Sequence, residues 1–151
     1  MKPFHFRLQT KLDLSCREES QAREELHISI NYRNQVQNEL DEIMRRSRET
    51  EAEIKAMMQE DFNLPQFFIF KDYLPVLKTL QKSKADDLLQ AESKVTQARG
   101  ILIDKMQESK TLQKLRDREW SNYLLELNKE EQKTIDELAI NSHFRKNIKQ
   151  A

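Results

Sequence analysis

The chain of 151 residues is the size of one domain, and 26 basic residues balance 26 acidic ones to a formal net charge of +0. Charged residues make up 34% and aromatics 7%, too little apolar mass for a broad globular core, and one glycine, Gly100, cannot build a glycine-rich phosphate cradle. The two charge signs are interspersed with no basic block, so neither nucleic acid nor an anionic membrane surface is indicated as a partner.

The opening Met1-Lys2-Pro3-Phe4-His5-Phe6-Arg7 has no secretory apolar region. The longest apolar run lies around Phe67–Phe70, far short of the ~18 residues that cross a bilayer. A cytoplasmic protein is expected, and a single Cys16 fits a reducing compartment.

From Leu12 a seven-residue hydrophobic beat begins. Its a positions are Leu12, Glu19, Leu26, Arg33, Leu40, Ser47 and Ile54, and its d positions are Ser15, Ala22, Ser29, Val36, Ile43, Thr50 and Met57. Cys16, Ile30, Met44 and Met58 widen the stripe on one side. The pattern predicts a coiled-coil helix over about residues 6–58, with a seam weakened by Glu19 and Arg33.

Asn63-Leu64-Pro65 breaks the beat and reads as a turn or helix cap. Pro75 would remove a backbone bond from a helix interior, so a turn or tip over about 59–74 is expected, with a possible short helix at Phe67–Leu74. The cluster Phe67, Phe68, Phe70 and Tyr73 either plugs this tip or offers a partner surface.

A second long helix is predicted over about 75–144. Its seam starts at Phe70 and Leu74, then takes Leu77, Gln81, Lys84, Leu88, Ala91, Val95, Ala98, Leu102, Lys105, Ser109 and Leu112. Beyond Leu112 the register fails, and a shift of one residue recovers Trp120, Leu124, Leu127, Thr134 and Leu138, the mark of a stutter. The fold class is thus all-α, a single domain of two long helices in an antiparallel coiled-coil hairpin. The second helix is the longer, and past about Trp120 it outruns its partner. Its stripe of Trp120, Tyr123, Leu124, Leu127, Ile135 and Leu138 is then expected to be bare, a surface for another protein. Gly100 is expected to allow close helix approach or bending.

No catalytic, cofactor-binding or metal site is expected. His5, His27 and His143 lack a partner at i,i+4 and a nearby cysteine pair, and Cys16 beside the seam reads as a small packed residue.

Three features together resemble the FliJ family of flagellar type III export proteins. They are the opening Phe4-His5-Phe6-Arg7-Leu8-Gln9, the aromatic turn leading into Tyr73-x-x-x-Leu77-x-x-Leu80, and Arg116-x-Arg118-Glu119 followed by Glu130-Glu131-x-Lys133-x-x-Asp136-Glu137-x-Ala139. The resemblance implies a two-helix coiled coil similar to the central stalk of rotary ATPases. It implies a non-enzymatic part of bacterial flagellum biogenesis and motility. Such a part sits in the pore of the hexameric flagellar export ATPase and engages the export gate protein FlhA and export chaperones. It works peripherally, at the cytoplasmic face of the inner membrane.

By that resemblance the ATPase end carries Arg7, Arg116, Arg118, Glu119, Lys133, Asp136 and Glu137, beside the stripe residues Trp120, Leu124, Leu127 and Leu138. The export gate would meet Tyr73, Leu77, Leu80 and Lys84. Two alternatives remain open: the stalk of a virulence type III secretion system, and a structural coiled coil that dimerises through its exposed stripe.

Overall fold

The computed structural model describes residues 3–60 and 63–149, with side chains as far as Arg145. Asp61 and Phe62, within the expected turn, lie outside the described residues. Two helices, α1 (Gln9–Gln59) and α2 (Leu64–Lys149), pack against each other, and the described residues contain no strand. The chain divides into two compact units, Met1–Glu18 with Lys105–Ala151 and Glu19–Asp104.

In the first unit, Phe6, Leu12 and Leu112 form a buried cluster, with Phe4, Leu8 and Cys16 packed on it. Ser109 is fully buried, and its Oγ lies 3.6 Å from Cys16 Sγ. Lys105 Nζ donates to Glu18 Oε2 at 2.6 Å across the helix pair. Ser15 Oγ is buried with no hydrogen-bond partner, a cost of about 1–3 kcal/mol that the apolar neighbours must offset. Residues 3–8 are not helical, and Gln9 N–H closes the entry by donating to Phe6 O at 3.1 Å.

In the second unit the buried side chains are Ala22, Val36, Leu40, Ser47, Thr50, Leu77, Ala91 and Val95. Thr50 meets the demand of its hydroxyl locally, donating to Arg46 O at 2.8 Å. Every a and d position of α1, and every seam position from Phe70 to Leu112, is buried or half-buried. Met58 is the exception on the adjoining stripe, at 63% exposure.

The start of α2 corrects the expected boundary. Asn63 caps the helix, Pro65 lies in its first turn, and Phe67 N–H donates to Asn63 O at 2.9 Å. The helix then continues through Pro75, so Phe67–Leu74 is its opening stretch and not a separate element. The proline removes the bond to Lys71 O, but Lys71 and Pro75 are exposed, so water can satisfy that carbonyl. At the other end α2 extends to Lys149, past the expected limit.

Gly100 does not serve close approach. It is exposed, its φ is ordinary, and a Cβ built on it meets nothing within 4 Å. Gly100→Ala is therefore expected to stabilise the protein by about 0.5–1 kcal/mol, read as a higher urea midpoint at unchanged slope.

Lys84 Nζ donates to Glu39 Oε2 at 2.6 Å across the second unit. The hydrogen bond from Lys84, followed by one from Gln35, holds the Glu39 carboxyl below its usual range, and the bond to Glu39 raises Lys84. A depressed carboxyl stabilises the fold above its unfolded pKa and stops doing so as pH falls through the folded one. A raised ammonium stabilises below its unfolded pKa and fails only in strong alkali. Glu39→Gln should accordingly lower the melting temperature slightly at neutral pH, as befits an exposed pair. Thermal melts of the two proteins should converge when pH is taken below the carboxylate range.

Candidate partner-binding surfaces

On the first unit, the segment before α1 reaches further along α2 than the periodicity suggests. The Phe4 ring meets Trp120 edge-on at 5.0 Å and Tyr123 at 5.5 Å, and Trp120 stacks on Tyr123 at 5.5 Å. The contact leaves Tyr123 half-buried, whereas Trp120 stays 44% exposed at the start of the stripe. Phe4 lies before the first heptad, so no helical count could have assigned it this role. Glu119, Tyr123 and Leu127 are half-buried, whereas every residue from Asn128 to Arg145 is exposed.

The exposed apolar surface runs on from Trp120 through Leu124, which is 38% exposed, to Ile135 at 58% and Leu138 at 64%. At 100° per residue, Trp120, Leu124, Leu127, Ile135 and Leu138 fall within a sector of about 80°. Ile140 and Phe144 are exposed on the opposite face.

The charged residues expected here form a line and not a cluster. Arg116 and Trp120 share a shallow groove with Phe4, Gln9 and Asp117, and Arg116 pairs with Asp117 at 3.2 Å. Glu119 lines a second groove with Phe4, Tyr123 and Glu126. Arg118 faces a third with Thr111, Lys114 and Leu115. Arg7 is exposed before α1. Lys133, Asp136 and Glu137 are exposed some 20–27 Å further along the helix axis than Glu119, and Asp136 accepts from Gln132 at 2.9 Å.

On the second unit, the four residues expected to meet the export gate separate into two groups. Leu77 is 1% exposed, closed inside the seam, and Lys84 is engaged with Glu39. Tyr73 and Leu80 do face outward, at 40% and 45% exposure. Their true neighbours are Ile69 at 65% and Val76 at 52%. Ile69, Tyr73, Val76 and Leu80 repeat at the seam's own spacing, displaced by one residue, and fall within a sector of about 60°. The signal is present in the sequence as doubled apolar positions: Ile69-Phe70, Tyr73-Leu74 and Val76-Leu77. One member of each pair builds the seam and the other the ridge. Of the aromatic cluster, Phe67 and Phe70 are half-buried and Phe68 is 49% exposed, so it is part packing and part surface.

The helix pair and its two exposed apolar strips agree with a match that covers residues 4–148, nearly the whole chain, to the family model described as flagellar FliJ protein. The chain belongs to the FliJ family. It is thereby a component related to flagellar protein export. No curated protein and no solved structure matches the chain. Among the described residues, no helix is long and apolar enough to cross a membrane.

Proposed function

We propose that the chain acts as the central stalk of the flagellar export ATPase ring and as an adaptor to the export gate protein FlhA and to export chaperones, hydrolysing nothing itself. The carrying observation is the run from Asn128 to Arg145, a helix exposed on every side, along which Ile135 and Leu138 continue the face of Leu124. Leaving leucine and isoleucine in water on a surface this narrow makes sense where another protein covers them. In this reading Arg116, Arg118 and Glu119 flank the stripe where it meets the helix pair, and Lys133, Asp136 and Glu137 contact ring loops along it. The gate contact moves from Leu77 and Lys84 to the ridge of Ile69, Tyr73, Val76 and Leu80. The protein works at the cytoplasmic face of the inner membrane, held there through its partners.

ATP hydrolysis by the cognate export ATPase, measured with and without this protein, tests the stalk role. Faster turnover with co-purification is expected; a rate unaltered at saturating protein, with no co-purification, would remove it.

A further inference from the structure

The bare part of α2 carries an asymmetric charge pattern. Over 126–137 the acids Glu126, Glu130, Glu131, Asp136 and Glu137 outweigh Lys129 and Lys133. After Glu137 there is no acid, and Arg145, Lys146 and Lys149 follow. A helix acidic in one half and basic in the other complements itself when a second copy runs the opposite way. In a parallel pair like charges would face each other throughout. The apolar face matches at its centre, with Leu124 and Leu127 left to its outer ends. Ile135 and Leu138 are exposed at the middle of the segment, and Glu131 and Arg145 lie on the same sector to either side.

We propose that, when no other partner occupies it, this segment pairs with a second copy of the chain, antiparallel, about a two-fold axis near residues 136–137. Ile135 of each copy then packs against Leu138 of the other. The Glu126–Glu131 turns lie opposite the turns that carry His143 and Arg145. The contact is isologous, so each interaction occurs twice. About three heptads of seam with few large apolar groups make a weak dimer, with dissociation on the order of 1–100 µM. Because the two copies hide the same face that the export ATPase would use, self-pairing and ring docking exclude each other. The pairing itself is a property of the isolated chain and stands or falls without the ATPase.

The test is sedimentation equilibrium of the full chain across that concentration range, at low and high salt. Reversible dimers that weaken as salt rises are expected. Ile135→Asp with Leu138→Asp should yield monomers of unchanged helical content. Glu131→Arg or Arg145→Glu alone should weaken the dimer at least tenfold, and the two together should restore it. Direction is read with a spin label at Ser121→Cys in a Cys16→Ser background. The antiparallel pair places the two labels about 45 Å apart along the axis. A parallel pair would bring them within side-by-side helix distance. A monomer at every concentration, a short label separation, or a charge swap that fails to restore pairing would each overturn the proposal.

Discussion

Leu124→Asp combined with Leu127→Asp is expected to abolish stimulation of the cognate export ATPase and co-purification with it. Far-ultraviolet circular dichroism should remain nearly unchanged. Each leucine covered by a partner contributes about 1.5–3 kcal/mol, and a carboxylate in its place must be desolvated as well, so binding should weaken by about 10³-fold or more. The fold has little to lose. Leu124 is 38% exposed, Leu127 is half-buried, and every residue from Asn128 to Arg145 is exposed. A large drop in helicity would mean instead that the two leucines support the chain's own packing.

The second large effect is at Leu77. Leu77→Ala removes a side chain that is 1% exposed, the most fully buried leucine among the described residues. Truncations of this kind cost about 2–5 kcal/mol. A helix pair collapses around a gap more readily than a globular core, so about 2–3 kcal/mol is expected, read from urea unfolding. Val76→Asp, one residue away on the exposed ridge, should change stability by less than about 0.5 kcal/mol and yet weaken capture of the export gate protein. If Leu77→Ala left stability intact and lost only gate binding, the seam and the ridge would have to be exchanged. The two variants together therefore separate a packing residue from a contact residue.

The seam was legible because period is a property of the chain itself. Counting from Leu12 and from Phe70 identifies positions that the fold covers, even where Ser15, Ser47, Thr50 or Ser109 occupies them. Residue type would have rejected those four, and spacing retains them. The extent of α2 was not legible at Pro75, since tolerance there depends on whether Lys71 O reaches water, and that is settled by exposure. The contact residues were half legible. Tyr73 and Leu80 share a face, whereas Leu77 and Lys84 are turned about 50–70° from the centre of that ridge towards the seam, a rotation that motif matching ignores. Phe4 was illegible for a different reason: its partners, Trp120 and Tyr123, are far off in sequence and it belongs to no repeat.

That aromatic contact gives the molecule a built-in optical reporter. Trp120 is the one tryptophan of the chain and stands where the packed helices give way to the bare stripe, 44% exposed. Its fluorescence arises at the edge of the surface a partner would cover. Burial there would shift its emission to shorter wavelength, and release of Phe4 would shift it to longer. Docking at this end can thus be followed in the unlabelled protein by the colour of its own light.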